Sequence, residues 1–95
     1  MEYILFIHNN WDQETTADQW NTFFTAASKS GIFSGGSQLS NGKQIGQKSV
    51  KAVSSNVAGY MRFQTNDIDK LHQLLELHPV KIQGGTLELC ETPST

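Results

Sequence analysis

The sequence predicts an α+β fold of the ferredoxin-like kind, a β-α-β-β-α-β chain in which two helices cover one face of a four-stranded antiparallel sheet. Three observations predict it. The stretches "EYILFIH", "VAGYMRFQT" and "TLELCE" are short, apolar or alternating, and rich in strand formers. Two intervening segments carry apolar residues at helical spacing, Trp20, Phe23, Phe24 and Ala27 in one and Ile68, Leu71, Leu74 and Leu75 in the other. Strand, helix and strand then recur twice along 95 residues, the length of one domain spanning 1–95.

The first strand, Glu2 to His8, is apolar on both faces. A polar loop, "NNWDQE", leads to Thr16-Ala17-Asp18-Gln19, which fits a capping box at a helix start. The helix places Phe24 on its inner stripe, with Lys29 suited to the last turn and Gly31 to the position just beyond it. "GIFSGGSQL" returns as the second strand. Its adjacent glycines, Gly35 and Gly36, each weaken a strand by roughly 0.5–1 kcal/mol. Such a pair marks a bulge, or a place where a ligand approaches bare backbone. Asn41-Gly42 signals a turn, and "KQIGQKSVKAVSSN" reads as a short exposed hairpin or a loop with "SVKAV" extended. Asn66 is placed to cap the second helix, with Asp67 and Asp69 in its first turn. That helix should stop near His78, because Pro79 disfavours helical geometry in the residue before it. A cationic His78 would complement the helix C-terminus, and His72 falls on the surface. Gly84-Gly85 opens the last strand, and the tail 92–95 is expected to fray.

Composition narrows the partners. Net charge is −2, from 7 basic and 9 acidic residues, and only Lys43, Lys48 and Lys51 lie close together. No basic face of the kind that nucleic acid requires is expected. No apolar run approaches the roughly 20 residues of a membrane span. "MEYILFIHNN" lacks the basic start and small-residue cleavage site of a signal peptide. Cys90 is the single cysteine, so no internal disulfide forms, and a cytoplasmic location with Cys90 as a packing residue is expected. No histidine or cysteine pair stands at metal-ligand spacing, "SGGS" lacks the phosphate-loop pattern, and no metal or cofactor is expected.

Pleating assigns the faces. Tyr3, Leu5, Ile7, Gly59, Met61, Phe63, Leu87 and Leu89 turn to the helices. The other face receives Ile4, Phe6, Cys90 and Tyr60 together with His8, Arg62 and Glu88. It is too apolar to face water alone. In one reading it is a homodimer interface, with Arg62, the only arginine, paired to Glu88 within or between copies. In the other it borders a ligand cleft, with Arg62, Tyr60, Glu88, Gly35 and Gly36 binding a small anionic molecule and His8 moving a proton.

The segments "MEYILFIH", "SGIFSGGSQL", "AGYMRFQTNDIDKLHQLLELHP" and "GGTLELCET" together resemble the YCII-related family, which includes the DGPF-domain proteins. The resemblance covers most of the chain. It implies a dimeric, barrel-like α+β assembly with sheets facing each other and a cleft beside them. Some family members carry a His-Asp pair proposed as an acid/base dyad, its histidine on the first helix. Here Gln19 or Trp20 stands near that place, "ASKS" precedes Gly31 without the acid, and "SSNVAG" replaces the DGPF tetrapeptide. These departures count against carrying over catalysis. Three functions stay open: a homodimer binding a small molecule, a non-catalytic interaction or regulatory module, and an enzyme using His8 as acid or base.

Overall fold

Strand β1 (Glu2–His8) runs through the middle of the sheet, antiparallel to β3 (Val57–Gln64) on one side and to β4 (Leu87–Thr92) on the other. Strand β2 (Phe33–Gln38) extends the sheet beyond β3, giving the order β2-β3-β1-β4 expected of the ferredoxin-like arrangement. The computed structural model describes residues 1–93. Helix α1 (Ala17–Ser30) links β1 to β2, and α2 (Ile68–Leu75) with the short α3 (Pro79–Ile82) links β3 to β4.

The predicted faces hold. Leu5, Ile7, Met61 and Phe63 are buried from the sheet side, and meet Phe23 and Ala27 of α1, Leu71, Leu74 and Leu75 of α2, and Val80 of α3. Each fully buried side chain of this size contributes about 1.5–3 kcal/mol. The Cα envelope measures 44 × 38 × 17 Å, the thickness of one sheet and one helix layer. No described element covers the opposite sheet face, where Ile4, Phe6, Tyr60 and Cys90 remain half-buried.

Local signals act as read at α1. Thr16 Oγ1 accepts from the Gln19 backbone N–H at 3.1 Å, and Gln19 Oε1 accepts from the Thr16 N–H at 2.9 Å. Gly31 ends the helix in the left-handed region, φ 72°. The glycine pair forms a bulge. Between Phe33 and Gly35 the register against β3 shifts, and Gly35 takes φ 107° opposite Arg62. Gly36 follows opposite Met61, where a Cβ would meet the Tyr60 carbonyl oxygen and the Met61 Cα. The bulge therefore needs Gly35 for its backbone angle, and the close strand contact needs Gly36 for its missing side chain.

Several expectations are corrected. Phe24 is 41% exposed, whereas Phe23 is fully buried, so the inner stripe of α1 runs through Phe23 and Ala27. Ile68 is also exposed at 37%, at the start of α2. Asp67, not Asn66, caps α2, its Oδ1 accepting from the Lys70 N–H at 3.2 Å, while Asn66 accepts from the Met1 ammonium. Helix α2 ends at Leu75, and His78 instead caps the start of α3. Of the two readings of the segment between β2 and β3, the loop holds, with no further strand pair within it. Gln44 bridges the loop to Val50, and a single 3-10 turn, Val53–Ser55, precedes β3. Thr92, expected in a frayed tail, pairs with Glu2 in β4; the rest of that expectation, at 94–95, lies outside the described residues.

Candidate functional site

A cleft of about 700 Å3 opens between α1 and the helix-facing side of β2 and β3. Its walls come from three parts of the chain. Trp11 enters from the β1–α1 loop, where the Asp12 N–H bonds the Gln83 carbonyl at 2.9 Å. Trp20 and Phe24 come from α1, and Phe33 and Met61 from the sheet. Among the described residues, no charged side chain lines it.

The aromatic wall is held by specific contacts. Trp20 Nε1–H donates to Thr15 Oγ1 at 2.9 Å, which satisfies the indole and fixes its plane. Phe24 stacks on Trp20 with centroids 5.6 Å apart and planes 24° from parallel. Phe33 lies 6.1 Å from Phe24 and 5.5 Å from Phe63, continuing the wall into the sheet core. Polar groups from Asn9, Ser37, Gln38 and Ser54 border the same space. Such a mix, mostly apolar with a few polar groups, suits retention of a small organic molecule.

Behind this wall lies His78, which is fully buried. Its Nδ1 accepts from the Val80 N–H at 3.2 Å, so the neutral ring carries its proton on Nε2, and Nε2 has no polar partner among the described residues. The ring packs at 5.2 Å from Trp20 and 4.8 Å from Phe23, both in edge geometry. Burial pushes its pKa down to about 4, so His78 is neutral near pH 7 and the cationic role read from the sequence is not taken.

The side chains singled out from the sequence divide between two places. Gly36 and the β3 backbone at Tyr60 border the aromatic cleft, while the Tyr60 side chain turns to the open sheet face beside Phe6. Arg62 is exposed on the other sheet face, paired in register with Ile4 and opposite Gly35. Glu88 is engaged by His8, with Nε2 and Oε1 2.7 Å apart, and the Arg62–Glu88 pair considered above does not form within the chain. Among the described residues Arg62 has no ion-pair partner. Sequence reasoning missed Trp11, Trp20, Phe24 and Phe33 as cleft residues. The available signal was Trp11 itself, a large aromatic in an otherwise polar loop.

No family model matches the chain, and no curated protein matches it. A solved structure similar to it is that of 5-chloro-2-hydroxyhydroquinone dehydrochlorinase from Burkholderia phenoliruptrix AC1100, in complex with 2,5-dihydroxybenzoquinone. The TM-score is 0.56 over 100% of this chain and 96% of that one, at 11% sequence identity. The two share a fold. Among the described residues, no helix is long and apolar enough to cross a membrane.

Proposed function

We propose that this chain is a small-molecule-binding protein of the YCII-related kind, and that its ligand is a flat, uncharged organic molecule seated in the aromatic cleft. One observation carries the reading: a cleft of about 700 Å3 whose lining has no charge and whose wall is built from Trp11, Trp20, Phe24 and Phe33. An ionised ligand would lose hydration there without finding a counter-charge, whereas a planar ring gains stacking and edge contacts. The neighbour of the same fold was solved with a flat quinone, which supports a ligand of that shape.

We also propose that two copies pair through the open sheet face. Ile4, Phe6 and Cys90 on that face are half-buried and lack a covering layer, and a small domain gains stability by burying them at about 25 cal/mol per Å2 of apolar area. In such a pair Arg62 meets an anion of the second copy or a bound anionic ligand at the seam.

The ligand reading is tested by fluorescence. Both tryptophans of the chain line the cleft, so intrinsic emission reports its occupancy directly. Hydroquinone or catechol should quench in a saturable way and raise the melting temperature, and cyclohexanol should do neither. Quenching that stays linear with concentration, with no thermal shift, would remove the proposal.

A further inference from the structure

We propose that the depression beside the end of β1 is a second site, one that binds a small oxyanion and takes up a proton on His8 as it does so. The depression, about 480 Å3, is lined by His8, Asn10, Lys51 and Asn56 together with Val53 and Val57. Asn9 and Val57 also line the aromatic cleft, so the two spaces adjoin but differ in chemistry. One is uncharged and aromatic. The other offers an ammonium, an imidazole and side-chain amides, and no carboxylate among its lining residues.

The histidine is held in place from several sides. Its backbone N–H donates to the Thr86 carbonyl at 3.0 Å, and the next N–H, of Asn9, donates to the Asn56 carbonyl at 2.8 Å. Asn10 Oδ1 accepts from the Thr86 N–H at 2.9 Å, and its Nδ2 donates to Thr86 Oγ1 at 3.0 Å. These bonds tie the end of β1 to the start of β4 and the turn before β3. The imidazole thus sits on a fixed frame, as a binding site requires.

The contact with Glu88 sets the ring's chemistry. A carboxylate can only accept, so at 2.7 Å the proton of that contact belongs to Nε2. In the neutral ring the other nitrogen, Nδ1, then carries a bare lone pair. An anion arriving in the depression meets repulsion from that lone pair unless Nδ1 gains a proton. Once protonated, the ring donates to Glu88 through Nε2 and to the anion through Nδ1, two charge-assisted bonds in line. Lys51 supplies a second positive charge. Besides Glu88, the ionisable groups on this side of the sheet are Tyr60, paired with Phe6, Arg62 and Cys90, both paired with Ile4, and Glu2 at the far end of β1. Binding and proton uptake are therefore coupled, and affinity for a fixed-charge anion rises as the pH falls.

Calorimetry with sodium oxalate and with sodium sulfate, both dianions near pH 6.5, tests this. Each titration is run in two buffers of different ionisation heat, which counts the protons taken up. The proposal expects saturable binding with net proton uptake, no more than one proton per site. Oxalate alone would mark a carboxylate site, sulfate alone a tetrahedral-oxyanion site, and both a general oxyanion site; each supports it. His8→Phe and His8→Asn, both checked for folding by circular dichroism, should lose the proton uptake and weaken binding by about tenfold or more. Lys51→Met should weaken binding but keep the uptake. Absence of binding by both anions, equal heats in the two buffers, or wild-type binding by the His8 variants would each overturn it.

Discussion

His78 lies edge-on to Trp20 with ring centroids 5.2 Å apart, so the aromatic wall of the cleft rests on a buried imidazole. Neutral His78 has a place there; an imidazolium does not. Its pKa falls from 6.5 to about 4 in the folded chain because burial penalises the charged form. Between those values the unfolded chain binds more protons than the folded one, so stability falls as pH falls. It is at its plateau above pH 6.5 and reaches its full loss near pH 4. The gap corresponds to about 3 kcal/mol. Urea denaturation at pH 7, 5.5 and 4 should show the decline. His78→Asn, whose Oδ1 can accept from the Val80 N–H, should be less stable at pH 7 but show a shallower pH dependence. An unchanged slope would mean that other groups set it.

Phe23 and Phe24 are neighbours in sequence with opposite roles. Phe23→Ala opens a cavity in the core and should cost roughly 3–5 kcal/mol. Phe24→Ala loses a half-exposed ring with its contacts to Trp20, Phe23 and Phe33, each worth about 0.5–1.5 kcal/mol at most beyond the area it buries, and should cost less than Phe23→Ala. The second variant should nevertheless weaken quenching by hydroquinone several-fold. Equal loss of melting temperature in both would show that Phe24 is structural.

Gly35→Ala and Gly36→Ala separate two uses of glycine. At Gly35 a Cβ has open space but the backbone sits at φ 107°, and strain of about 1–3 kcal/mol is expected. At Gly36 the Cβ runs into the β3 backbone, and β2 must move away, costing typically about 1–3 kcal/mol and disturbing the cleft wall that Gly36 helps form. Both variants should melt lower, but Gly36→Ala alone should lose ligand quenching.

Pairing through the open sheet face predicts a dimer mass by light scattering at micromolar concentration. Phe6→Lys, on that face and outside the helix-side core, should shift the mass to that of a monomer while circular dichroism stays unchanged. A wild-type monomer at the same concentration would rule out the pairing.

The order of elements, the faces of the strands and the cap of α1 were legible in the sequence, because each depends on local spacing. A period of two sorts Leu5 from Phe6, a period near 3.6 gathers Phe23 with Ala27, and Thr16 with Gln19 needs only one turn of helix. The bulge was legible as a choice between two uses of a glycine pair, since glycine in a strand always signals a local exception. What the tertiary structure decided was which partners distant residues meet. Phe24 falls on the apolar stripe read from the sequence, but in the fold it is 41% exposed and lines the cleft between Trp20 and Phe33. His78 follows a helix whose pattern invites a cationic end. Only the packing of Trp20, Phe23 and Val80 around it makes the ring neutral and places it at the start of α3. Arg62 and Glu88 share a face, yet β1 lies between their strands, and His8 on that central strand reaches Glu88 first. Period fixes a side chain's face. Packing and register, which depend on the whole chain, fix its neighbours.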